Sequence, residues 1–192
     1  MEKQKTNLIW NNVKSILFYV VAGILLAYIL IEIFIPSQTI KIFQFKPYVV
    51  VTESMEPVIN VNDLIIVTNP NLDELEIGDI VTFSADIDYN GTKEVVTHYI
   101  YSIETNSQGN RTYRTVRNES DVPDAWILLD DDILGSYAFK IPKLGVLINF
   151  AKSPFGIAAI SVNVIVIVLI VYLVKSGKKE QIKKNSNEDQ QL

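Results

Sequence analysis

The chain has 192 residues, a formal net charge of −5 and no cysteine. That length allows one modest domain with membrane anchors but not two full domains, and the lack of Cys excludes a disulfide framework, a thiolate metal site and a Cys nucleophile. The acidic balance, with no dense Lys/Arg stripe in the middle of the chain, argues against nucleic acid as a partner.

Residues 1–14 are polar and carry Lys3, Lys5 and Lys14. From Ile16 to Ile31 the chain is apolar without a break, and Ile33, Phe34 and Ile35 extend the run past Glu32. Crossing the hydrocarbon of a bilayer takes ~20 helical residues, which 15–35 supplies, so this segment is expected to be a retained anchor. Glu32 falls near its outer end, where a carboxylate is expected to reach headgroup water. A cleaved leader fits less well, because the run is too long and no small-x-small site follows it.

Residues 36–156 hold 17 acidic and 9 basic side chains. Short β-branched and aromatic runs alternate here with turn residues, which predicts strands over Tyr48–Thr52, Asp63–Thr68, Asp79–Ser84, Val95–Glu104, Thr112–Val116 and Ile133–Phe139. No helical periodicity is evident, so the expected fold is mainly β. Ile141 to Phe150 is apolar but too broken to span; it suits core packing and a membrane-interface lip equally.

A second apolar run, 157–174, is interrupted by Ser161 and Asn163 and meets the lower length limit for a span. Lys175, Lys178, Lys179, Lys183 and Lys184 follow in the polar segment 175–192. Its composition beyond Ser176 predicts no ordered structure. Positive residues flank both runs on the same side, so both termini are expected in the cytoplasm, with 36–156 outside the cell membrane.

Few residues here can do covalent chemistry. Ser54 lies in Thr52-Glu53-Ser54-Met55-Glu56-Pro57, after an apolar run that Pro57 stops from continuing. A serine hydroxyl is a poor nucleophile until a base takes its proton. His98 is the only histidine and Lys93 the other candidate base. Alternation within Val95–Ile100 puts His98 on one strand face with Thr97 and Tyr99 on the other. A lone strand histidine also suits a purely structural role. Asp130, Asp131 and Asp132 suggest a cation site at first sight, but adjacent carboxylates diverge and a solvated turn fits better.

Several boxes, in order, resemble those of type I signal peptidases. Ser54-Met55-Glu56-Pro57 is similar to the nucleophile motif, Gly78-Asp79-Ile80-Val81 to a following strand, and Val96-Thr97-His98 to the segment that holds the base. Gly135, Ile141-Pro142 and Leu144-Gly145 resemble the closing stretch. Histidine rather than lysine at the base position resembles the endoplasmic-reticulum-type branch, found also in archaea and some Gram-positive bacteria. The acid motif, Thr-Lys-Gly-Asp-x-Asn-x-x-x-Asp, is only partly kept in Thr115 to Asp124: Val116, Arg117, Asn118 and Ser120 depart from it.

The resemblance implies a signal-peptidase-like β catalytic domain flanked by two transmembrane helices, and a Ser54–His98–Asp124 triad. Asp121 is the alternative acid. The backbone N–H of Ser54 and the hydroxyl of Thr52 are the implied oxyanion donors, and neither cofactor nor metal is expected. The implied activity is a serine endopeptidase cleaving signal peptides from exported preproteins at small residues, with the bilayer as its other partner. Two alternatives stay open: a peptidase dedicated to a few biofilm or pilus proteins, and an inactive, membrane-tethered assembly factor.

Overall fold

The computed structural model describes residues 2–188, which fall into two compact units, the first ending at Pro142 and the second beginning at Lys143. In the first, helix α1 (Glu2–Phe34) and the short helix α2 (Thr39–Phe43) precede strands β1 (Phe45–Val49), β2 (Leu64–Thr68), β3 (Ile80–Ala85), β4 (Glu94–Thr105), β5 (Arg111–Val116), β6 (Leu128–Leu129) and β7 (Ile133–Ile141). In the second, α3 (Leu144–Lys152) precedes α4 (Pro154–Glu188).

Among the described residues the strands make one seven-stranded sheet in the order β1-β2-β7-β3-β4-β5-β6, antiparallel at every pairing. Consecutive strands are hairpin neighbours except at β7, which enters the middle, between β2 and β3. Both faces of the sheet are covered. Val81, Phe83 and Ala85 alternate along β3 into one apolar cluster with Ile100, Tyr113, Leu128 and Ile133. The opposite parity, Ile80 and Tyr99, packs against a second cluster built on Ile40, Met55, Ile59, Ile65 and Val67. The period-two pattern of the sequence therefore serves two cores at once.

β7 can occupy the centre because of Gly135. A Cβ at that position would lie 2.4 Å from Val67 Cγ1, 2.5 Å from the Thr68 carbonyl oxygen and 2.8 Å from Ile40 Cδ1. Gly135→Ala is therefore expected to lower stability by about 1–3 kcal/mol through overpacking. A thermal melt of the purified full chain measures it.

The helices α1 and α4 contain Asn12–Phe34 and Pro154–Gly177, each long and apolar enough to cross a membrane. Most of their Leu, Ile and Val side chains are exposed, the mark of a surface that meets lipid or protein. Asn163 donates its amide to the Ala159 carbonyl at 2.8 Å, which satisfies it inside its own helix.

The structure departs from sequence expectation in several places. β1 spans 45–49 rather than 48–52, so Thr52 and Ser54 lie in the loop and turn beyond it. Helix α2 and strand β6 were not anticipated, both being too short to show a period. The stretch 144–152 is helical where no helix was read, with Val146, Leu147 and Phe150 exposed. Helix α4 continues through the tail to Glu188, where no order was expected; Lys, Gln and Glu are good helix formers and propagate a helix already nucleated. Residues 189–192 lie outside the described residues.

Glu32 also differs from expectation. Rather than reaching only water, it accepts a hydrogen bond from Thr39 Oγ1 at 2.7 Å and pairs with Lys46 Nζ at 2.9 Å. Lys46 donates to the Pro36 carbonyl as well, at 2.9 Å, and Tyr28 of α1 stacks on Phe45 of β1. The chain folds back on the end of α1, and β1 is tied to it.

Candidate active site

A short turn follows β1 and carries Ser54. It is pinned from below by Met55 and Ile59, both buried in the second cluster, and closed by hydrogen bonds from Glu56 N–H to the Glu53 carbonyl (3.0 Å) and from Ile59 N–H to the Met55 carbonyl (2.8 Å). Glu56 Oε1 accepts from Val61 N–H at 3.1 Å. Asp63, buried, accepts from Asn60 N–H at 3.0 Å and pairs with Lys140 of β7 at 2.9 Å, anchoring the return of the turn into β2. Ser54 is thus held up at the rim of a packed base while its hydroxyl stays accessible.

Thr52 lies beside it, with the two hydroxyl oxygens 3.4 Å apart. Loss of one oxyanion donor costs about 3 kcal/mol of transition-state stabilisation. For the oxyanion role that the resemblance implies for Thr52, Thr52→Val is expected to reduce kcat by about 10²–10³ with unchanged folding, as steady-state cleavage would show.

His98 sits on β4 opposite Val81 of β3, on the face of the first cluster, while Thr97 turns to the other side and bonds Thr82 Oγ1 at 2.8 Å. The imidazole is 5% exposed. Phe83 meets its edge at 6.1 Å and Trp126 lies nearly parallel to it at 6.4 Å, so the ring has one orientation. The preceding Gly78, at φ 94°, makes the turn that delivers β3 to its place, and its N–H donates to the Ile100 carbonyl at 2.9 Å.

Asp124 Oδ2 lies 2.7 Å from His98 Nδ1. The same oxygen accepts from Thr115 Oγ1 at 2.6 Å, and Thr115 Oγ1 lies 3.1 Å from Trp126 Nε1. These contacts assign the protons. An indole N–H can only donate, so Thr115 accepts from Trp126 and turns its own hydrogen to Asp124. Asp124 Oδ2 then accepts from both neighbours and Nδ1 of His98 carries the hydrogen. In the neutral ring His98 Nε2 is then the nitrogen that carries the lone pair, and it is buried without a hydrogen-bond partner. The backbone of Asp124 is fixed too: its N–H donates to the Thr115 carbonyl at 2.8 Å, and its own carbonyl accepts from Arg114 Nη2 at 2.7 Å.

Ser54, Thr52 and His98 line one cleft of about 470 Å³, with Tyr48, Val50, Ile65, Glu94, Val95, Val96 and Trp126 among its other walls. No hydrogen bond joins Ser54 Oγ to His98 Nε2. Burial, then the charge of Glu32, pushes the Tyr48 phenol up to about 12, so this wall presents a neutral ring at physiological pH.

The remaining candidates fall elsewhere. Asp121 is exposed in the loop before Asp124. Lys93 is exposed and pairs with Asp132 at 2.7 Å; that hydrogen bond, then the charge of Asp132, raises its pKa and keeps it protonated, the wrong state for a base. Asp130 accepts from Tyr113 Oη at 2.8 Å and Asp132 from Leu129 N–H at 3.0 Å, so these carboxylates diverge. Asp86, Asp88 and Glu94 converge at the β3–β4 hairpin, but the turn's own N–H groups occupy Asp86 and Glu94. Trp126, Thr115 and Arg114 were not singled out from sequence. A tryptophan two residues after Asp124, one of only two in the chain, was the available signal.

Residues 14–103 match the family model of signal peptidase, peptidase S26. The stretch that carries Ser54 and His98 belongs to that family. The resemblance read from the sequence therefore holds at family level over residues 14–103, in a family of signal peptidases. Asp124, Asn118 and the closing Gly135 to Gly145 stretch lie beyond the matched peptidase S26 residues. No curated protein matches the chain.

Proposed function

We propose that the chain is a membrane-anchored signal peptidase of the Ser/His branch, in which Ser54, His98 and Asp124 form the triad. The observation that carries this reading is the buried, unpartnered Nε2 of His98, on a ring whose other nitrogen is committed to Asp124, in the cleft that Ser54 lines. A merely structural histidine would have both nitrogens satisfied.

In the reaction, Ser54 turns its hydroxyl from Thr52 toward the ring. Its oxygen attacks the scissile carbonyl as its proton passes to Nε2, and Asp124 stabilises the imidazolium. The tetrahedral oxyanion is held by Ser54 N–H and Thr52 Oγ1. His98 returns the proton to the leaving amine, the C–N bond breaks and an acyl-enzyme remains. Water, deprotonated by the same nitrogen, then releases Ser54. The substrate lies extended along the cleft, where shallow apolar walls accept small side chains before the cut.

Asn12–Phe34 and Pro154–Gly177 are the anchors, with the residues between them on the outer side and both termini in the cytoplasm. The exposed Val146, Leu147 and Phe150 of α3 rest in the membrane interface. Because a signal peptide's apolar segment also lies in the bilayer, confinement of both partners to that plane raises their effective concentration.

The test is a model preprotein incubated with the full chain in proteoliposomes. One cut after the apolar segment, located by sequencing the new N-terminus, is expected with exclusively outward-facing enzyme. An intact preprotein removes the general signal-peptidase reading and leaves the dedicated peptidase and the tethered assembly role.

A further inference from the structure

Asn118 stands where the acid motif of the resembled family carries its first Asp, and what it does here is something a carboxylate cannot. It follows the end of β5 and is half-buried. Its backbone N–H donates to the Ser54 carbonyl at 3.0 Å. Its side-chain Nδ2 donates to the Glu56 carbonyl at 2.7 Å. A backbone carbonyl can only accept, so the atom facing it has to carry a hydrogen. An ionised Asp would set two bare oxygens against each other.

We infer that Asn118 is a positioning residue for the reaction proposed above: its amide clamps the turn that presents Ser54, and the substitution of acid by amide is what the clamp requires. The inference rests on that reading of Ser54 as nucleophile. Its geometry is specific. Thr115, three residues earlier, holds the backbone and the carboxylate of Asp124. One short stretch, 115–118, therefore grips the acid at one end and the serine turn at the other, and fixes their separation. Neither Thr115 nor Asn118 lines the cleft, so the effect falls on kcat rather than on KM.

The experiment uses the full chain in proteoliposomes and a model preprotein, with Asn118→Asp and Asn118→Ala followed between about pH 5 and pH 8 for both kcat and thermal midpoint. Asn118→Asp restores the motif's acid and is expected to lower kcat about 10- to 100-fold near pH 8, the effect of one lost hydrogen bond to a part-buried group, with KM within about two-fold. The carbonyl favours the protonated acid, which raises the carboxyl's folded-state pKa above its unfolded value. The protonated form can donate, so the ratio of variant to wild-type kcat climbs as pH falls, and the variant's melting deficit shrinks with it. Asn118→Ala is expected to lose activity by a factor that does not vary with pH.

Wild-type activity in Asn118→Asp near pH 8, a pH-flat ratio equal to that of Asn118→Ala, or a loss confined to KM would each overturn the inference. Ser54→Ala run alongside separates the two claims. Cleavage by that variant ends the reading of Ser54 as nucleophile, and none by wild type ends the general signal-peptidase reading, while the pH-dependent melting of Asn118→Asp still reports on the donor.

Discussion

Ser54→Ala is expected to abolish preprotein cleavage, with kcat falling on the order of 10⁶-fold and the fold intact, because removing the attacking atom of a triad leaves only binding and oxyanion stabilisation. The residue is part-exposed at the top of the turn, and its hydroxyl lies 3.4 Å from that of Thr52. Nothing packed depends on it. The turn is set by Met55, Ile59 and backbone hydrogen bonds, all of which survive the change. Melting temperature and preprotein binding should therefore match wild type while product disappears. Undiminished cleavage would transfer the chemistry to another residue.

Asp124→Asn is expected to reduce kcat by roughly 10⁴-fold, as amide replacement of a triad acid does elsewhere. The structure gives the reason locally. Oδ2 accepts from two donors, Thr115 and His98 Nδ1. An amide nitrogen there would drive the histidine hydrogen onto Nε2, the atom that must be free to take the serine proton. An amide oxygen there would keep the tautomer and lose the charge that steadies the imidazolium. Asp121→Asn, altering an exposed carboxylate, should change kcat by less than about two-fold. If the two results came out reversed, the acid would be Asp121.

Much of this was legible in advance. The apolar runs gave both long helices, because twenty lipid-length residues are a signal no soluble strand imitates. Alternation placed five of the seven strands near their observed positions and separated His98 from Thr97. The site residues came by a different route, from ordered motifs, since composition could not have set Ser54 apart from the chain's other serines.

What stayed hidden has physical causes. The β1 register slipped because Tyr48–Val51 is apolar throughout, and a continuous run hides the point where pairing stops. Helix α2 and strand β6 fall below the length at which any period shows. The roles of Trp126, Thr115 and Asn118 rest on donor and acceptor direction between residues distant in sequence, and no spacing encodes that. Asn118 was read as a weakened copy of an acid; only the carbonyl opposite it shows that a donor was needed.

The central place of β7 has a consequence for biogenesis. In the sheet, the strands nearest the serine, β1 and β2, meet those bearing the histidine, β3 and β4, only through residues 133–141. A growing chain has Ser54 and His98 before it has the strand that joins their parts of the sheet, with Asp124 coming only shortly ahead of that strand. A truncation ahead of residue 133 would leave the β1–β2 hairpin and the β3–β4–β5–β6 meander with no strand pairing them in the sheet, and under the proposed triad it is expected to be inactive.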